Sequence, residues 1–158
     1  MLTSYFMLIF AEAIANHMAT EYTSHIRTAL DACWRFLENR DKRGEELYRL
    51  LDDGTDFGGI FIYMQLDENE ANGLLWDNIS YAIGETAKEA FEFENKKELP
   101  SPIENIEPEL LDVFIENLKE ISMDLYYHVE TVKIFINRNP YPSRESALKE
   151  LDRLGLFR

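Results

Sequence analysis

The chain has 158 residues, 30 acidic against 16 basic side chains, and a formal net charge of −14. That length suits one domain with a sizeable core. The charge excludes nucleic acid and an anionic membrane surface as partners, since both need lysine and arginine, and favours a basic protein partner.

The first stretch, Met1 to Met18, is apolar but lacks a basic leader, is interrupted by Glu12 and is short for a membrane span. Its spacing predicts a buried amphipathic helix over Leu2–Met18 with Phe6, Ile9, Phe10, Ala13 and Ile14 inward. Ala19 to Ser24 reads as a connection, with Thr23 or Ser24 as the cap of a second helix to Glu38. Leu30, Cys33, Trp34 and Leu37 share one face of that helix. The single cysteine cannot form an internal disulfide and suits a reducing compartment. Beside Trp34 it reads as a small core residue. A polar turn, Asn39 to Gly44, separates this helix from a third over Arg43–Leu51, whose Leu47, Leu50 and Leu51 resume the period. Asp52-Asp53-Gly54 is a stop and turn signal.

Phe57 to Leu66 carries strand-favouring Ile60, Phe61, Ile62 and Tyr63. No other stretch alternates to pair with it, so a short buried helix is expected. Gly58-Gly59 would give it a sharp entry or a close backbone approach. Glu68 to Glu94 reads as the longest helix. Leu75, Trp76, Ile79, Ala82, Ile83, Ala87, Ala90 and Phe91 keep its period, and Gly84 leaves room for a neighbour. Asn95 to Pro102 is an interior loop. Glu107-Pro-Glu opens a helix with Leu110, Leu111, Phe114, Leu118 and Ile121 on its core face. Met123 to Asn137 is a further helix or a bent continuation. Ser143 caps a last amphipathic helix with Ala147, Leu148, Leu151 and Leu154. The expected fold is all-α: a single compact domain over residues 1–158, of about seven to eight helices around a long central helix.

Catalytic signatures are missing from the pattern. His17, His25 and His128 sit in no His-Glu-x-x-His, and no cysteine pair has zinc spacing. Glu21 to His25 has the wrong spacing for a helical di-iron site. Gly54 to Gly59 has no lysine for phosphate, and Ser4, Ser24 and Ser80 lack a nucleophile-elbow context. No metal, no cofactor and no enzymatic activity are expected. The positive signal is acidic density. Asp52, Asp53 and Asp56 cluster after the third helix without the spacing of a calcium loop. Asp67, Glu68 and Glu70 open the long helix. Glu104, Glu107, Glu109, Asp112 and Glu116 mark a later one, with Asp112 and Glu116 on one face. Helix capping and a solvated face account for any single carboxylate; together they offer a surface to a basic partner.

Ala29-Leu-Asp-Ala-Cys-Trp-Arg-Phe-Leu-Glu38, followed by Gly44-Glu-Glu-Leu-Tyr-Arg-Leu-Leu-Asp52, resembles an all-helical immunity family of bacterial polymorphic toxin systems, the sixth numbered family of that kind. Trp76-Asp-Asn-Ile-Ser-Tyr-Ala82 is similar to that family's tryptophan-bearing helix, and Leu99-Pro-Ser-Pro-Ile-Glu104 to its proline loop. The resemblance spans roughly the middle half of the chain and rests on core and turn patterns. It implies a cytoplasmic protein, encoded beside a toxin, that binds and neutralises the cognate toxin domain. It supplies no residue-level site. The acidic residues suggest one: Asp52, Asp53, Asp56, Asp67, Glu68 and Glu70, with Tyr63, covering a basic active cleft of the kind a nuclease needs. Two other readings compete. One is a helical adaptor or regulatory protein for a non-toxin partner. The other is an enzyme using Glu12, His17 or Tyr81, which would require a deep polar pocket.

Overall fold

A computed structural model describes residues 1–41 and 43–157. Helix α1 (Thr3–His17) has apolar residues on all sides, and every residue from Ser4 to Ile14 is buried. A helix hydrophobic all round belongs inside a fold rather than on its surface. The expected burial of α1 holds, and its expected amphipathic character is corrected. Tyr5, Met7, Leu8 and Ala11 are as buried as the face read from the spacing.

The partner of α1 is α5 (Gly73–Phe93), the longest helix. The sequence places its start near Glu68, but residues 70–72 form a separate 3-10 turn and α5 begins at Gly73. Ile79, Ala82, Ile83, Ala87, Ala90 and Phe91 are all buried along α5. The small residues let neighbours approach closely. A Cβ at Gly84 would stand 3.3 Å from Ile106 Cδ1.

Helix α2 (Thr23–Asn39) packs on both members of this pair, and α3 (Gly44–Leu51) packs on α5 and α2. Leu30, Cys33, Trp34, Leu37, Leu47 and Leu51 are buried, and Leu50 is half-buried. The capping role expected of Thr23 or Ser24 is not found. Tyr22 holds the cap position without a side-chain bond, and the Thr23 hydroxyl donates back to Thr20 O at 2.8 Å. At the other end Arg40 adopts a left-handed conformation (φ 51°) and its N–H closes on Phe36 O. Its guanidinium donates to Glu89 Oε2 and to the Tyr5 hydroxyl, both at 2.9 Å. The polar turn between α2 and α3 is thereby tied to α5 and α1.

Phe57–Leu66 resolves as helix: α4 spans Ile60–Leu66. Only Ile60 in it is buried, so the expectation of a buried helix is corrected. After α5 come α6 (Ser101–Glu104), a single turn that begins within the expected Asn95–Pro102 loop and runs past its end, and α7 (Leu110–Ile121). Pro108 lies in the turn before α7. Phe114 and Leu118 are buried from α7, whereas Leu110, Leu111 and Ile121 are half-buried. Met123 to Asn137 is two helices meeting at His128, α8 (Met123–Tyr127) and α9 (Val129–Arg138). The Ser143 hydroxyl accepts from Ser146 N–H at 3.1 Å and caps α10 (Arg144–Arg153), which packs on α1. One continuous apolar cluster runs from Tyr5 to Leu156. Among the described residues there is no strand, and no helix is long and apolar enough to cross a membrane.

Candidate functional site

The connection from α3 to α4 builds itself from side chain to backbone. Asp52 Oδ1 accepts from Gly54 N–H at 3.0 Å. Asp53 Oδ1 accepts from Thr55 N–H at 2.8 Å and from the Thr55 hydroxyl at 2.6 Å. Thr55 Oγ1 in turn accepts from Phe57 N–H at 3.2 Å. Short polar side chains favour turns of this kind because they replace backbone partners locally. The Thr55 donors hold the Asp53 carboxyl below its ordinary value, so it stays charged.

This ordered loop presents Phe57, which is 86% exposed. Behind it the chain passes under its own carboxylate: a Cβ at Gly58 would run into Asp53 Oδ2. Gly59 has φ 98° and ψ 153°, a region essentially restricted to glycine. A Cβ there would sit 2.5 Å from Leu51 O. The double glycine thus supplies both the sharp entry and the close approach read from the sequence.

Ile60 anchors α4, while Phe61, Ile62, Tyr63 and Met64 are half-buried and Leu66 is exposed. Tyr63 stacks on His25, with ring centroids 4.3 Å apart, and on Tyr22 at 5.1 Å. These contacts fix α4 against the start of α2. The helix is seven residues long, or about 10 Å. Asp52, Asp53 and Asp56 therefore stand at one end, and Asp67, Glu68 and Glu70 follow the other. That separation exceeds a screening length of about 8 Å, so the two groups face a partner as two acidic patches flanking α4.

The six carboxylates are not equivalent. Asp56, Glu68 and Glu70 are exposed. Asp67 is built into the fold. It accepts from Asn69 N–H at 2.9 Å, Asn72 Nδ2 at 2.9 Å and the buried Trp76 Nε1 at 2.8 Å. These donors hold its carboxyl below its ordinary value. Among the described residues none of the six has an ion-pair partner, whereas on α3 Glu45 pairs with Arg49 and Glu46 with Arg43. The sequence explains the contrast. Residues 50–87 contain Asp52, Asp53, Asp56, Asp67, Glu68, Glu70, Asp77 and Glu85 but neither lysine nor arginine. Phe57 was missed by pattern reading. Its signal is an aromatic in a turn, outside any helical period and flanked by Asp56 and glycine.

Glu12, His17 and Tyr81, the residues considered for an enzyme, occupy separate surroundings. Glu12 is enclosed by Arg27, Trp34 and Arg144. His17 contacts Leu156 O, and it lines a different cavity from Tyr81. Among the described residues no group of three His, Cys, Asp or Glu side chains is placed to hold a metal ion.

The model of the immunity protein family Imm6 matches residues 3–121, well over half of the chain. The chain belongs to the Imm6 family. The match takes in α1 to α7 and the whole acidic surface around α4; α8 to α10 follow it. No curated protein and no solved structure matches the chain. In this Imm6 protein α2 and α3 bury one face each as scaffold, and the carboxylates without an ion-pair partner among the described residues begin where α3 ends.

Proposed function

We propose that the chain neutralises a cognate toxin domain by laying α4 and its two acidic ends across a basic cleft, blocking substrate access in the cell that makes the toxin. Membership of an immunity family supports the class of function. The observation that carries the surface is the set of unpaired carboxylates, with no lysine or arginine between residues 50 and 87, around the projecting ring of Phe57. An exposed aromatic can act as a binding anchor, and surrounding charge steers a basic partner and sets register. Toxins that cut nucleic acid carry such basic clefts, which makes a nuclease domain a fitting partner.

The test uses the toxin domain encoded beside this protein's gene. Among the described residues the side chains of Asp56, Glu68 and Glu70 make no hydrogen bond, so Asp56→Lys, Glu68→Lys and Glu70→Lys change charge without disturbing the loop. Three lost pairs at about 0.5 kcal/mol each amount to about 1.5 kcal/mol, which predicts about tenfold weaker binding for the triple variant. The association rate should also lose much of its salt dependence. Unchanged affinity in the triple variant would place the interface elsewhere.

A further inference from the structure

An apolar groove of about 390 Å³ runs between α5 and the α6–α7 connection. Tyr81 and Gly84 line it from α5, and Ile106, Leu110 and Val113 from the opposite side. Leu51 and Phe61 reach it from α3 and α4, so the groove is continuous with the acidic surface through Phe61. Val113 is 45% exposed.

The chemistry of the lining narrows the occupant. A small-molecule site needs a few polar groups converging on the ligand. Here Ser80 Oγ is spent on Asp77 O at 2.8 Å, and Asn105 Nδ2 on Ser101 Oγ at 3.3 Å. The charged groups of the lining are two exposed carboxylates, Glu107 and Glu109, beside the half-buried Tyr81, and neither carboxylate has an ion-pair partner among the described residues. The nearby cation, Lys88, donates to Ile106 O at 3.2 Å. A second copy of the chain would bring another net charge of −14 against these acids, a like-charge contact that opposes association. A basic partner meets no such penalty.

We propose that this groove receives an apolar side chain of the toxin, with a neighbouring toxin lysine or arginine paired to Glu107 and Glu109. The inference rests on the toxin-neutralising reading and extends its interface from α4 across to α7. One partner then covers both, with Phe57 projecting into the toxin and the groove receiving a toxin side chain in return.

Val113→Lys places a charge in the groove at a position exposed enough to leave the fold intact; Val113→Ala removes only contact area. Both are titrated against the toxin domain encoded beside the gene, with the Tm of each variant checked. The lysine is expected to weaken binding at least about tenfold, because it buries a charge against an apolar side chain and repels the toxin cation, a cost above the 1.4 kcal/mol that tenfold represents. The alanine variant should bind about two- to fivefold more weakly, for the loss of part of one side chain's contacts. If Val113→Lys binds as the wild type does, the groove is not part of the interface. That result overturns the proposal and leaves the acidic surface standing, even if sedimentation then shows that the substitution dissolves a dimer of this chain. Failure of the wild type to bind the toxin at all overturns the toxin reading itself, and this proposal with it.

Discussion

Glu12 Oε1 accepts a hydrogen bond from Trp34 Nε1 at 3.0 Å, joining α1 to α2 through a fully buried carboxylate. Arg27 Nη1 donates to the same carboxylate at 2.7 and 3.0 Å, and Arg144 Nη2 stands 3.2 Å away. Arg144 also pairs with Asp31 at 2.7 Å. The charge that breaks the apolar run of α1 is therefore satisfied by α2 and by the first residue of α10. Removing one partner of a buried pair costs more than the pair itself contributes. Glu12→Ala is expected to lower stability by about 3–5 kcal/mol in denaturant unfolding. Arg27→Ala and Arg144→Ala should each cost less, because either leaves the other arginine in place and both side chains are partly solvated.

Backbone conformation at the entry to α4 yields a paired prediction. Gly59→Ala combines a glycine-only conformation with a collision against Leu51 O, and should cost about 1–3 kcal/mol. Gly54 also has positive φ, at 84°, but a Cβ there meets open space. Gly54→Ala should cost about 1 kcal/mol from conformation alone. Equal losses of Tm in the two variants would contradict the close-packed account of Gly59.

What could be read from the sequence divides along the same line between local and distant partners. The helices of Leu30–Leu37 and Leu47–Leu51 follow from spacing, because burial on one face needs only a period. The inward sides of α1 could not be read that way: a helix covered on all sides has no polar stripe, and only the packing of α2, α5, α7, α9 and α10 around it shows that Met7 and Leu8 are inside. Glu12 reads as an interruption because its partner Arg144 lies 132 positions away, and no local pattern links them. In the candidate site, density drew attention to Asp52, Asp53, Asp56, Glu68 and Glu70. It could not separate Asp67, whose role depends on where the Asn72 and Trp76 side chains reach. Exposure of Phe57 depends on how the Asp-Gly-Thr turn folds, which composition alone does not state.

Asp67 predicts an acid-sensitive fold. Its carboxyl is held below its ordinary value, first by Asn69 N–H, then by Asn72 and Trp76. A carboxyl lowered in the folded state contributes stability above its unfolded pKa of about 3.9, and loses it as pH falls through the lower folded value. Part of the acid unfolding should therefore vanish in Asp67→Asn, measured as the slope of stability against pH below about 4. Asp67→Ala also strands the buried Trp76 Nε1–H and should cost about 1–3 kcal/mol at neutral pH.

Glu85 carries the opposite sign. Burial raises its carboxyl above the ordinary value, Glu89 and Glu92 push the same way, and Lys88 opposes them. A carboxyl raised in the folded state costs stability when ionised, and the cost disappears as pH falls through the folded value. Glu85→Gln should raise Tm at pH 7, on the order of 2 °C, and the difference from wild type should shrink on acidification toward the ordinary glutamate range. A lower Tm at pH 7 would mean that Lys88 outweighs burial.

Cys33 offers a probe of how the helices separate. It is buried between α1 and α5, and burial pushes its thiol up to about 12, against a smaller opposing effect of a hydrogen bond with Thr86. The thiolate is the reacting form, so the native protein should resist aromatic disulfide reagents at pH 8. Reaction requires α2 to leave α5, and that also breaks the Trp34–Glu12 contact. The labelling rate in dilute denaturant should therefore rise in step with the unfolded fraction seen by tryptophan fluorescence, and Glu12→Ala should speed labelling by the factor that its loss of stability predicts. Labelling at a rate independent of denaturant would show instead that a local fluctuation exposes the thiol while the core around Trp34 stays closed.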